Sequence, residues 1–222
     1  MNKITPDIFT LKYWKYYIQI EKEFVQTINY VSIDSSNFNC YSDAYMKLML
    51  QIGSEVDITC KLLCSLLGEN LKNGTIGKYK ECITKHIKDF CNIRITEKQS
   101  KISSCPWEEW KCADTNPTWW VIYNKIKHHR VSSGSIVGVK QEYFKFANLK
   151  YTMLSLMGLY QIMLYSYYYL AKAESKKVFV PLPASRLFET ESSIWKDTDL
   201  GTNSIMYVDD GQLCIETGLF EY

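Results

Sequence analysis

Between Pro117 and Arg130 the chain reads Thr118-Trp119-Trp120-Val121-Ile122-Tyr123-Asn124-Lys125-Ile126-Lys127-His128-His129-Arg130. Two imidazoles, an amide, a phenol and three cations within a few turns suit proton transfer beside a phosphate. At 100° per residue, Asn124 and His128 share one side of a helix, with Trp120 and Lys127 beside them. Trp119, Ile122, Ile126 and His129 fall on the opposite, core-facing side. A solvent-facing Asn–His pair flanked by cations and an indole is an odd surface unless it meets something. The plain alternative is a solvated basic helix end, favoured by the dipole because its cations sit at the C-terminus.

The positive charge continues past this helix. Residues 123–150 hold six cations (Lys125, Lys127, Arg130, Lys140, Lys145, Lys150) against Glu142 alone. Residues 189–222 hold eight carboxylates against Lys196, so the overall net charge of +2 conceals a basic body and an acidic tail. A basic body attracts phosphates through counterion release, and Trp107, Trp110 and Trp120 are rings on which bases stack. The acidic tail is expected to lie across the basic face and hold it shut until a partner or nucleic acid displaces it.

Tyr123-Asn124, with His128 four residues after Asn124 on a late helix of an α-bundle, resembles the HEPN superfamily. The motif of that family is Arg, often followed by a polar residue such as Asn, then His after four to six intervening positions. The likeness extends over roughly residues 38–172. It implies a homodimer in which two motifs face one cleft and cleave RNA without metal, the 2′-OH attacking the adjacent phosphate. On this likeness His128 is the general acid/base and Asn124 the polar residue. Tyr123 occupies the Arg position, and Arg130, two turns on, stands in for the guanidinium. Lys125, Lys127, His129, Trp120 and Tyr123 are the expected RNA contacts. The implied setting is a toxin or antiviral-defence system with a possible partner protein. The alternative is a catalytically silent HEPN-like module that dimerises and docks protein or RNA. No cofactor and no metal are expected.

Other chemistries find little support. Gly134 and Gly138 lack the Lys-Ser/Thr ending of a phosphate loop, and neither Gly-x-Ser-x-Gly nor His-Glu-x-x-His occurs. Eight cysteines without a Cys-x-x-Cys pair point to reduced, partly buried thiols in a reducing cytoplasm. A zinc site drawn from Cys60, Cys64, Cys82 or His86 is conceivable but less expected than a thiol core. Glu55 and Asp57 read as helix-surface charges, Asp57 with Lys61 as its i, i+4 partner.

The elements that must hold these residues follow from periodicity. Apolar residues recur at helical spacing over about 6–31, 42–67 and 78–91, with Gly68 closing the second run and His86 on the apolar side of the third. Residues 92–116 read as a loop and Asn116-Pro117 as an N-cap followed by Pro at N1. Residues 132–138 read as a flexible connection, and Tyr143–Lys172 as a long apolar helix. Thr152–Ala171 is twenty residues without a formal charge, yet Ser155, Gln161, Ser166 and four tyrosines mark it as a buried helix rather than a membrane span. Residues 204–208 and 212–216 around Asp-Gly read as a β-hairpin. The expected fold is all-α, a HEPN-like bundle of about five helices over residues 1–177. An extended acidic tail with a small hairpin follows over 178–222. With 10 Gly and 5 Pro in 222 residues, a disordered or linker-rich chain is excluded.

Overall fold

The computed structural model describes residues 4–71, 73–174 and 181–190, together with the backbone of two strands at 204–209 and 212–217. Most of the described residues are helical. Helix α1 (Pro6–Phe9) runs through a π-turn (Thr10–Trp14) into α2 (Lys15–Thr27) without a break. Thr5 caps it, accepting from Ile8 N at 3.3 Å, and Pro6 takes the first turn, where a missing N–H costs nothing. Helix α3 (Asp43–Leu66) begins at Ser42, whose Oγ accepts from Tyr45 N at 3.1 Å. It stops at Gly68, which adopts φ 91°, a backbone conformation that glycine takes without strain.

Helix α4 (Ile76–His86) starts on a Thr75 cap and ends five residues before the expected Cys91. Phe90–Asn92 instead forms a 3-10 turn, which leaves the Phe90 carbonyl free to accept from Gln161 Nε2 at 2.7 Å. The stretch expected to be a loop contains two short strands, β1 (Ile95–Glu97) and β2 (Ser103–Ser104), and a 3-10 turn at Glu108–Lys111. Lys80 of α4 ties down its end: the ammonium donates to the carbonyls of Cys112 at 2.5 Å, Ala113 at 2.5 Å and Thr115 at 3.4 Å.

Helix α5 (Thr118–His129) is followed by strands β3 (Ser133–Ile136) and β4 (Val139–Glu142), which pair antiparallel. The expected flexible connection is therefore an ordered hairpin. Its turn residues Val137 and Gly138 both have positive φ, 50° and 76°, as a two-residue turn matched to strand twist demands. After a 3-10 turn at Tyr143–Phe146, helix α6 (Leu149–Ala173) starts at Asn148, whose Oδ1 accepts from Tyr151 N at 3.0 Å.

Helix α6 is the axis of the core. Met153, Leu156, Met157, Leu159, Ile162 and Met163 are buried around its whole circumference, α3 lies along it, and α1, α2 and α5 cover other sides. No helix among the described residues is long and apolar enough to cross a membrane. Ser155 Oγ, buried on α6, donates to Thr152 O of the same helix at 2.8 Å.

Strand β5 (Phe188–Thr190) pairs antiparallel with β1, giving the sheet order β2-β1-β5. Residues 181–190 thus pack on the helical body. Buried Glu21 of α2 holds them: its carboxylate accepts from Arg186 N at 2.8 Å, from Ser185 Oγ, and from Tyr17 OH at 2.8 Å. Trp14 Nε1 adds a bond to Pro183 O at 2.9 Å. Strands β6 (Ser204–Asp209) and β7 (Gln212–Thr217) form the expected C-terminal hairpin. Of the carboxylates in residues 189–222, Glu189 alone is described with its side chain. Glu189 itself pairs with Lys101 at 3.2 Å rather than with a cation of α5.

Candidate functional site

Helix α5 is set in place from both ends. Asn116 does not cap it. Glu109, nine residues upstream, does so instead, its carboxylate accepting from Thr118 N and Thr118 Oγ1, each at 2.6 Å. A carboxylate there also meets the positive end of the helix dipole. At the other end Ser132 N bonds His129 O at 2.9 Å, and Phe144 N bonds Arg130 O at 3.3 Å, so the β3–β4 hairpin springs directly from the last turn.

Between those anchors the helix is buried more widely than its periodicity predicts. Trp119, Ile122 and Ile126 face the core as expected. Trp120 and Tyr123, expected to meet RNA, are only 8% and 5% exposed. The cause is that α5 is covered by α3, by α6 and by the tryptophan loop together. The Trp120 and Tyr123 rings lie 5.0 Å apart, and Tyr123 fits over Gly53 of α3. Trp107 and Trp110, the other candidate stacking rings, are buried as well. Trp107 Nε1 donates to Gly158 O at 3.2 Å and Trp119 Nε1 to Pro106 O at 2.8 Å, which makes this cluster a core feature.

Asn124 is half-buried, and its Nδ2 donates to Trp120 O at 3.0 Å, one turn back on its own helix. The side chains that do reach solvent are Lys127, His128, His129 and Arg130. His129, placed by periodicity on the core side, emerges because the helix has passed the edge of the core by its last turn. The His128 and His129 rings are 6.3 Å apart. His128 and Arg130 are two residues apart at a helix end, a spacing that points side chains away from each other.

The surrounding cations are positioned by rings and one ion pair. Lys127 Nζ sits 5.6 Å from the Tyr123 ring centre and Lys125 Nζ 5.5 Å from that of Tyr143. Lys145 pairs with Glu142 at 2.9 Å, which raises the lysine pKa and removes it from the free positive charge. Lys140 is exposed on β4, and Lys150 is exposed in the first turn of α6.

A second cluster lies at the junction of α3 and α4. His86, expected on the apolar side of its helix, is exposed, and its Nε2 lies 3.3 Å from Glu69 Oε1. Lys85 approaches the same oxygen at 3.0 Å, and the two bases together hold the Glu69 carboxyl below the usual range. Cys60, Cys64 and Cys82 are buried, and burial pushes their thiols up, in line with the expected thiol core. On the outer face of α3, Asp57 and Lys61 make the expected i, i+4 pair at 2.5 Å, and Asp57 also accepts from Tyr79 OH at 2.9 Å.

No family model, curated protein or solved structure matches this chain.

Proposed function

We propose that the chain is a HEPN-like module whose C-terminal end of α5, with the adjoining β3–β4 hairpin, contacts RNA phosphates. The observation that carries this reading is the grouping of Lys127, His128, His129 and Arg130 as exposed side chains in one helical turn, with Lys140 exposed on the hairpin. Nothing in that turn pairs those charges with a carboxylate among the described ion pairs. Such a turn binds phosphate without reading sequence, and the affinity falls steeply with salt.

Between the catalytic and the silent form of the module, the side chains favour the silent one. Tyr123, in the position where the resembled motif has Arg, is a packing residue, and Asn124 is committed to its own backbone. The catalytic form, a metal-independent endoribonuclease of a toxin or antiviral-defence system, has one observation in its favour: His128 is accessible. It requires a homodimer in which one protomer's His128 acts as general acid/base opposite its partner's Arg130. A positioned acid or base contributes about 10²–10⁴-fold.

The test is incubation of mixed RNA in EDTA with the wild-type chain and with His128→Ala, alongside RNA binding at several salt concentrations. Binding without cleavage establishes the silent module. Cleavage by the wild type alone, leaving 2′,3′-cyclic phosphate ends, establishes the enzyme. Absence of both removes RNA from the reading.

A further inference from the structure

The turn that ends α3 delivers a carboxylate onto a thiol. Gly68 in the left-handed conformation lets Gly68 N bond Ser65 O at 3.1 Å and Glu69 N bond Cys64 O at 2.9 Å. This paired closure is a Schellman motif, and it folds Glu69 back over the last turn of α3, above Cys64. On α4, Cys82 and His86 are four residues apart and so share a face, and that face packs against the same end of α3. The ligand atoms of Glu69, Cys82 and His86 consequently all lie within 4.8 Å of one another. Cys64 approaches Cys82 from the α3 side, thiol towards thiol, and Cys82 in turn faces Glu69.

We propose that Glu69, Cys82 and His86 form a three-ligand site for zinc or a divalent cation of similar softness, with Cys64 packed beside Cys82. A thiol, an imidazole and a carboxylate are a donor set suited to zinc. Magnesium and calcium need oxygen ligands in number, and this cluster has one carboxylate. The dimensions agree. Ligands around a tetrahedral zinc stand roughly 3.3–3.8 Å apart, as metal–ligand lengths of about 2.0–2.3 Å require. The Glu69–His86 separation of 3.3 Å already meets this, and a spread of 4.8 Å at most closes with side-chain rotation.

Access and competition are also favourable. Glu69 and His86 are about one-third exposed and form the mouth, while Cys82 and Cys64 form a buried floor. Lys85 competes for Glu69 Oε1, but its side chain is 70% exposed, and a surface pair of this kind is weak enough to be displaced. Three protein ligands would leave the fourth position to water. The ion would clip the end of α3 to α4 across the turn that separates them.

The experiment is titration of the chelator-free full-length chain with Zn²⁺ and with Co²⁺. Expected are one equivalent of zinc and a cobalt complex with intense tetrahedral ligand-field bands and thiolate-to-metal charge transfer. His86→Ala and Cys82→Ser should each weaken zinc, measured against a chromophoric chelator, by at least about tenfold. His86 is on the surface, so that variant keeps its fold and remains decisive if Cys82→Ser does not. Substoichiometric zinc, a weak octahedral cobalt spectrum, or unchanged affinity in His86→Ala would each overturn the site.

Discussion

The Tyr123 ring of α5 lies so close to Gly53 of α3 that a Cβ on the glycine would fall 2.3 Å from Tyr123 Cδ2. The absence of a side chain at Gly53 is what lets the two helices approach, and Tyr123 fills the space. Gly53→Ala should therefore overpack the α3–α5 contact and cost about 1–3 kcal/mol. For a chain of this size that is a fall in Tm of roughly 2–4 °C per kcal/mol, readable by calorimetry. Tyr123→Arg, which writes the resembled motif back into the sequence, should lower Tm further, since it places a guanidinium where the tyrosine is 5% exposed. A gain of RNA cleavage in that variant without loss of stability would contradict the packing role.

Substitutions at the end of α5 should separate surface cations from buried rings. Lys127→Ala and Arg130→Ala should weaken RNA binding and reduce the slope of log K against log salt by about 0.7 for each phosphate that is no longer neutralised. Trp107→Phe and Trp110→Phe should leave that slope unchanged while lowering Tm, because both indoles are buried. Fluorescence anisotropy over a salt series reads the slope. A slope insensitive to both cations would remove this turn from the interface.

Glu21 should control whether residues 181–190 stay docked. Its carboxylate serves Tyr17, Ser185 and Arg186 inside the protein. Glu21→Ala orphans buried donors at about 1–3 kcal/mol, and amide exchange in 185–190 should accelerate well before exchange in α6 does. Uniform acceleration throughout the chain would indicate global destabilisation in place of local release.

Alkali should destabilise the protein through its buried thiols and phenols. Burial raises the pKa of Cys60, Cys64, Tyr17, Tyr160 and Tyr165 above ordinary values of 9.0 for a thiol and 10.0 for a phenol. Above pH 9 the unfolded chain loses these protons while the folded chain keeps them. Stability present in full below the ordinary values is therefore lost as pH rises, by up to about 1.4 kcal/mol per pH unit for each group. Urea midpoints at pH 8, 9 and 10 should fall in that order. The same protonated, covered thiols should resist alkylation at pH 7, where exposed Cys40 and Cys112 react.

Several helix ends are legible from local signals: Thr5-Pro6 and Gly68 sit where their chemistry predicts, and Pro117 marks the start of α5 although Asn116 does not cap it. Less legible are features set by residues distant in sequence. Glu109 caps α5 from nine residues away, a contact that no local pattern announces. The burial of Trp120 and Tyr123 follows from three neighbours closing on α5, whereas helical projection assumes one covered face. The β3–β4 hairpin escapes a reading of the sequence because its turn is Val137-Gly138, without the Asn-Gly or Asp-Gly pair that marks such turns. Cys82 and His86 are readable as an i, i+4 pair, but the arrival of Glu69 beside them depends on the turn geometry after α3.

The central position of α6 also sets an order of events during synthesis. Trp14 and Tyr17, near the start of the chain, pack against Tyr160, and α3 lies along the same helix. The partner they all share is translated after every other helix of the body. At about 5–20 residues per second, the early helices spend several seconds outside the ribosome with their apolar stripes uncovered. The body cannot close until residues 149–173 have emerged, so a nascent chain stalled before that point leaves the apolar faces of its earlier helices uncovered.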